Sequence, residues 1–298
     1  MDKRLLSQKL EDLYRRKERL RTYVPQSLRS TGGRLLYSVS AISDSLLGGR
    51  DSLTPPLKLR HEVGPFISPR YYRAVGAQFL HYTRDLCALR RNEELLDVGC
   101  GCGQMAAQLT GYFDQSAEYD GFDISAEAID WCKRNITPKH PNFHFQLADI
   151  YNGKYNPEGK FKASNWKFPY DDESFDLAIA KSVFTHMLTD DMRNYLHEIQ
   201  RVLKQGGRCL VTFFLLNPES FELVEAGKGT LDLRYAINEY RTVDPNIPED
   251  IVAYPQDYVL RSLSQSGLRV ELVRYGWWCG RPTFYLESYQ DLIVASKG

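Results

Sequence analysis

Long apolar runs are missing from this chain. The longest apolar-rich stretch, Cys209–Leu216, spans eight residues, whereas a helix needs about 20 to cross a bilayer. Met1–Leu20 has no uninterrupted apolar core either, so it does not read as a secretory signal. Metal-ligand spacing is also lacking. The six cysteines (Cys87, Cys100, Cys102, Cys132, Cys209 and Cys279) include no Cys-x-x-Cys pair, and Cys100 and Cys102 stand too close together for a usual zinc knuckle. They read as small buried residues in a reducing compartment, which makes the cytoplasm the expected location. Net charge is absent as well: 38 Lys and Arg balance 38 Asp and Glu.

What is present is the make-up of an ordinary globular protein, 43% hydrophobic and 26% charged over 298 residues. That length suits one large domain with an appendage or two small domains. The charge is unevenly spread. Residues 1–35 carry ten Lys/Arg against four Asp/Glu, a balance of +6 that the rest offsets with −6. Leu6, Leu10, Leu13 and Leu20 recur on one stripe of a helix that should stop before Pro25. A basic head on an acidic body suits an anionic membrane surface or a protein partner; a solvated helix face accounts for it equally well. Residues 1–60 read as a basic helical appendage and 61–298 as the main domain, with lids or insertions near 151–167 and 217–255.

From about residue 70 strands and helices alternate. Tyr71–Arg90 reads as a helix, Glu94–Val98 as a strand and Gln104–Phe113 as a helix. Tyr119–Ile124 follows as a strand, and Ser125 is placed to cap the next helix. Phe143, Phe145 and Leu147 alternate with polar residues in a third strand, and Phe175–Phe184 forms a fourth. Thr189 is placed as the N-cap of a helix whose apolar face is Met192, Tyr195, Leu196, Ile199, Val202 and Leu203. Gly206-Gly207 should end it before a fifth strand at Arg208–Leu216. Residues 217–255 show little regular signal. Asp257–Ser266 reads as a helix, and Leu268–Tyr275 and Tyr289–Ala295 as strands close enough to pair antiparallel. This order demands an α/β fold with a mainly parallel sheet and right-handed crossovers.

In such sheets ligands sit beyond the carboxyl ends of the strands, so the first strand-to-helix turn is the place to look. It reads Asp97-Val-Gly99-Cys100-Gly101-Cys102-Gly103-Gln104. A dinucleotide fingerprint needs glycine at 104, and an acid ahead of the first glycine would repel a diphosphate. The same carboxylate can hold a cationic amino-acid group, directly or through water.

With these residues the sequence resembles the class I S-adenosylmethionine-dependent methyltransferases over about residues 70–298. Further landmarks are Asp123 ending the second strand, Ala148-Asp149 ending the third, Phe168-Pro169-x-Asp-Asp-x-Ser-Phe-Asp176 before the fourth, and Val202-Leu203-Lys-x-Gly-Gly207 before the fifth. The resemblance implies a seven-stranded, Rossmann-like sheet with helices on both faces and the last strand antiparallel. It implies S-adenosylmethionine as cofactor, with Asp123 on the ribose hydroxyls, Asp149 on the adenine amino group, and Gly99 and Gly101 along the methionine portion. Asp97, Cys100, Gly103, Ile124, Ile150, Lys181, Phe184 and Tyr72 complete the expected cofactor set. One departure is the extra stretch Tyr151–Lys167, whose position fits a roof over the substrate site.

His186 is the candidate general base, since it leaves the fourth strand near the reactive end of the cofactor and its ordinary pKa suits proton uptake. The alternative is that it packs against the cofactor or caps the next helix. Trp277-Trp278 is expected to cover a sheet edge or to line an apolar acceptor pocket. The expected reaction is methylation of a small-molecule hydroxyl, on a glycolipid, a sugar or a secondary metabolite. No nucleic-acid partner is expected, because the body is acidic and an Asn/Asp-Pro-Pro-aromatic signature is absent. A protein or nucleic-acid methyltransferase and a non-catalytic cofactor-binding partner remain the alternatives.

Overall fold

The computed structural model describes residues 51–64, 68–282 and 288–298. The expectations for the basic segment 1–35 therefore lie outside the described residues. The chain divides into two units, Met1–Arg73 and Ala74–Gly298. In the first, α1 (Leu57–Glu62) buries Leu57, Leu59 and Arg60, and α2 (Pro69–Cys87) begins. Among the described residues no helix is long and apolar enough to cross a membrane.

The second unit holds the sheet. Its first strand, β1 (Glu94–Val98), is fully buried from Leu95 onward, which is what a strand covered on both faces requires. It is followed by α3 (Gln104–Leu109), β2 (Glu118–Asp123), α4 (Ala126–Asn135) and β3 (Phe143–Leu147). Ser125 caps α4 by accepting from the Ala128 amide at 3.3 Å, as its position predicts. After the insertion come β4 (Phe175–Ala180), a 3-10 turn at Phe184–His186, α5 (Thr189–Val202) and β5 (Leu203–Phe213). The strand order is β10-β11-β5-β4-β1-β2-β3. The pairs from β3 through β5 are parallel, and β11 (Asp291–Lys297) runs antiparallel to both β5 and β10 (Leu268–Arg274). The chain builds β1, β2 and β3 outward and then returns to lay β4 on the other side of β1. That reversal opens a crevice at the carboxyl ends of β1 and β4.

Three local readings change. Thr189 is the first helical residue of α5, and the N-cap is Leu188 with no side-chain cap. Gly206-Gly207 does not end α5. The helix stops at Val202, because buried Leu203 is already paired with Phe175, and the two glycines lie in the irregular stretch of β5 before Arg208 pairs with Leu177. Residues 217–255 are also structured. There α6 (Pro218–Glu225) starts on a reciprocal Asn217–Ser220 capping box, and a small sheet follows in the order β6-β9-β8-β7. Its strands are β6 (Leu215–Leu216), β7 (Tyr235–Ile237), β8 (Tyr240–Thr242) and β9 (Val252–Pro255). Strands of two to four residues are too short to carry a readable alternation. The last helix, α7 (Gln256–Gln265), precedes β10.

Trp278 resolves to core. It is fully buried and donates its indole N–H to Asp291 at 2.7 Å, with Phe214 5.2 Å away. All six cysteines are buried and unbridged.

Candidate active site

The turn after β1 is shaped by its glycines. Gly99, Gly101 and Gly103 have φ of 74°, 53° and 74°, a left-handed region that side chains resist. A Cβ on Gly99 would stand 2.5 Å from Val183 Cγ2, and one on Gly103 would stand 2.7 Å from Ile136 Cδ1 and 3.1 Å from Cys132 Sγ. Gly99 therefore meets the segment after β4, whereas Gly103 packs the loop down onto α4. The amides of Gly99 and Cys100 donate to the Phe122 carbonyl at 2.9 and 3.0 Å, which ties the loop to the end of β2.

Asp123, at that end, accepts from the Gly101 amide through Oδ2 (2.7 Å) and from the Ser125 amide through Oδ1 (2.8 Å). Burial raises its carboxyl above the usual range, while these amides oppose the shift. Each oxygen keeps a second lone pair, so the carboxylate can still accept two neighbouring hydroxyls.

Asp97 is buried and accepts from the Tyr119 hydroxyl at 2.7 Å. Burial pushes its pKa up to about 7, with Tyr119 and Lys181 pulling it down and Asp123 adding to the rise. Lys181 follows β4, is partly buried, and donates to Gln104 Oε1. Its ammonium stands 5.3 Å from the centre of the Phe79 ring on α2. Burial lowers its pKa to about 8 against the pull of Asp97. Gly76 lets α2 approach α3 here: a Cβ on it would lie 3.0 Å from the Gln104 carbonyl oxygen.

At the end of β3, Asp149 is paired with Lys160 of the insertion at 3.0 Å, which lowers its carboxyl pKa. The insertion folds back through an Ile150–Phe161 bridge and leaves Tyr151, Tyr155 and Phe161 exposed. His186 lies against it. Its Nδ1 is 3.0 Å from the Glu249 carbonyl, its Nε2 is 3.4 Å from the Tyr155 hydroxyl, and its own carbonyl accepts from Asn152 at 2.9 Å. A carbonyl only accepts, so Nδ1 carries the proton and the Nε2 lone pair remains. Burial lowers the His186 pKa and so favours the uncharged, proton-accepting ring, while the hydrogen bond to the Glu249 carbonyl opposes that shift.

The loop therefore gathers Asp97, Gly99, Gly101, Asp123 and Lys181 at one edge of the sheet, with Ile124 partly exposed beside Asp123. Three of the expected cofactor residues pack their side chains, or the place of one, into protein. Phe184 has no exposed surface and stacks on Phe213 at 4.8 Å, so it belongs to the core. Gly103 and Ile150 likewise face packed protein, α4 and the main core respectively. Cys100 turns its side chain toward Gly121, where a Cβ would come within 2.9 Å, which leaves only its backbone to the crevice. Tyr72 belongs to the first unit, where it is buried.

Sequence reasoning missed four residues. Gln104 was read only as a missing glycine, yet it holds Lys181. Tyr119 and Tyr155 looked like ordinary strand and loop aromatics. Gly121, a glycine inside a strand, was the available sign of a close approach. A separate cavity of about 580 Å³, lined by Glu94, Glu118, Asp120, residues 167–171, Ser174 and Phe175, opens by the amino ends of β1 and β2, away from this edge.

Comparison with known proteins agrees with this geometry. Residues 96–211 match the family model described as a methyltransferase domain. Within the chain these residues carry a methyltransferase domain, and the match supports the class I S-adenosylmethionine-dependent type. The chain is 30% identical over 154 residues, 51% of its length, to the O-methyltransferase cnsE of Penicillium expansum, and this covers 46% of that relative. It is 26% identical over 202 residues to the 27-O-demethylrifamycin SV methyltransferase of Amycolatopsis mediterranei (strain S699), covering 63% of this chain and 67% of that one. The chain thus spans about half the length of the fungal relative. The PH0226 protein from Pyrococcus horikoshii OT3 shares the fold, with a TM-score of 0.52, 18% identity, and 76% and 91% of the two chains covered.

The residues present fit this cofactor. An acceptor for a diol, a second carboxylate at the next strand end and a buried carboxyl beside a lysine suit a nucleoside joined to an amino acid.

Proposed function

We propose that this methyltransferase methylates a hydroxyl of a small molecule such as a glycolipid, a sugar or a secondary metabolite. The observation that carries the reading is His186, fixed as the Nδ1–H tautomer with the Nε2 lone pair facing the Tyr155 hydroxyl, which an acceptor hydroxyl would replace. The segment that bears it begins at Val183, which touches the Gly99 position of the cofactor loop. The cofactor supplies an activated methyl group on a sulfonium. Asp123 holds the ribose end, the loop backbone and Asp97 hold the amino-acid end, and the insertion 151–167 covers the approach to His186. An oxygen acceptor must shed a proton as it reacts, and His186 Nε2 takes it. Fixing acceptor and methyl group side by side supplies much of the acceleration. The O-methyltransferase names of the two relatives support the choice of oxygen.

The test is a screen of candidate acceptors with isotope-labelled cofactor, followed by mass-spectrometric location of the label. Label on a protein or nucleic-acid acceptor, or on carbon or nitrogen, would replace this reading. The basic segment 1–35 is kept as a docking arm for an anionic membrane surface or a protein. Equal binding to anionic vesicles by the chain without those residues would remove the membrane arm.

A further inference from the structure

Lys181 is an unusual side chain to find at this edge. Among the described residues its ammonium is in no ion pair; its one hydrogen-bond partner is the neutral amide oxygen of Gln104. The ring of Phe79 covers another side at 5.3 Å. A partly buried cation held by a neutral acceptor and an aromatic face has given up water without gaining a counter-charge. Such a group costs stability unless a ligand completes it.

The nearest opposite charge is Asp97, and the two do not cancel. Asp97 lies on β1 and spends Oδ2 on Tyr119, while Lys181 leans on Gln104 at the start of α3. β1 and β4 are neighbours in register, with Asp97 opposite Ile179, so both groups reach the same crevice from adjacent strands. A carboxyl and an ammonium held apart in one crevice are complementary to a zwitterion. The electrostatics agree, since each group is pulled toward its charged form by the other.

We propose that Lys181, held by Gln104, is the receptor for the α-carboxylate of the cofactor's amino-acid tail, with Asp97 facing its ammonium. This assignment rests on the cofactor reading above and names the residue that discriminates the tail. Lysine suits the task as a point charge with three donors, of which Gln104 takes one. The remaining donors are available to the two carboxylate oxygens.

Two nucleosides test it by calorimetry: S-adenosylhomocysteine and its analogue with hydrogen in place of the carboxylate. The wild-type chain should bind S-adenosylhomocysteine at least about tenfold more tightly, the scale of one charge-assisted hydrogen-bond pair. Lys181→Met should lose most of that preference by weakening S-adenosylhomocysteine alone, and Lys181→Arg should restore part of it. A wild-type chain that binds the two equally overturns the assignment without any variant. So does Lys181→Met that keeps the full preference, or that weakens both ligands alike, as a merely structural lysine would. Binding of neither nucleoside by the wild type would instead strike down the cofactor reading itself.

Discussion

Lowering the pH should loosen the cofactor's grip through Asp97, and the size of the effect follows from its surroundings. Burial pushes this carboxyl from 3.8 to about 7 against the hydrogen bond from Tyr119 and the charge of Lys181. The tail's ammonium favours the ionised form, so below pH 7 binding must first expel a proton. Each pH unit below that value costs about 1.4 kcal/mol, a factor of ten in Kd. Between pH 7.5 and 5.5 the Kd for S-adenosylhomocysteine should therefore rise roughly 25-fold. Calorimetry at pH 6 in two buffers of different ionisation enthalpy should count ~0.9 proton released per site. The fold's own stability moves the other way. A carboxyl raised in the folded state stabilises fully below its unfolded value, 3.8, and that contribution is lost as pH rises through about 7. The ligand-induced rise in Tm should thus grow with pH while the unliganded protein loses this contribution. Asp97→Asn should flatten the pH dependence of Kd. A wild-type Kd that stays constant from pH 5.5 to 7.5, with no proton released, would refute the placement of Asp97 against a cation.

Three other outcomes are expected. Asp123→Ala should weaken cofactor binding by about 1–3 kcal/mol, since it also frees the Gly101 amide that the carboxylate now holds; unchanged affinity by calorimetry removes the ribose role. His186→Ala should lower kcat with cofactor affinity nearly intact, and turnover unaltered across pH 6–9 with the true acceptor would show that it is not the base. Gly103→Ala should cost more than Gly206→Ala in chemical denaturation, although both glycines have φ just above 70°. The second pays only the left-handed backbone, about 1–2 kcal/mol, because nothing lies within 4 Å of its Cβ. The first adds overpacking against Ile136 and Cys132, a further ~1–3 kcal/mol; equal costs would contradict the packing.

The central strands were legible because their physics is local. β1 and β3 run from Glu94 to Val98 and from Phe143 to Leu147 as read, one a short apolar run closed by glycines and the other a clean alternation on an edge. The helix at α5 was legible in its apolar face, but its end was not. Gly206-Gly207 is the stronger local stop signal, yet pairing of Leu203 with Phe175 ends the helix four residues earlier. Tertiary pairing overrode the glycine pair. In the site, the loop and Asp123 were legible because the backbone demands of a tight turn write themselves as glycines. The direction of a side chain at a strand end is not written that way. Phe184 and Lys181 stand three residues apart after β4, and only the fold shows that one enters the core while the other faces Gln104.

On the proposed reading, acceptor recognition falls to the insertion 151–167. Its Asp149–Lys160 pair is largely exposed on the lysine side, where solvent screens the attraction, so the pair does not stand in the way of the adenine role proposed for Asp149. The insertion's contacts to His186 are more consequential. Asn152 holds the His186 carbonyl, Tyr155 stands at Nε2 with its ring 5.0 Å away, and the Gly153 amide reaches Glu249 Oε1 at 3.3 Å, whose own carbonyl fixes Nδ1. A short connection between β3 and β4 could not supply these three supports. The candidate base is thus oriented by the insertion and by the 3-10 turn at Pro248–Asp250, not by the cofactor loop. Substitutions at Asn152 and Tyr155 should therefore alter which acceptor reacts while leaving the cofactor's affinity alone, because the loop's supports, Phe122 and Asp123, lie on β2.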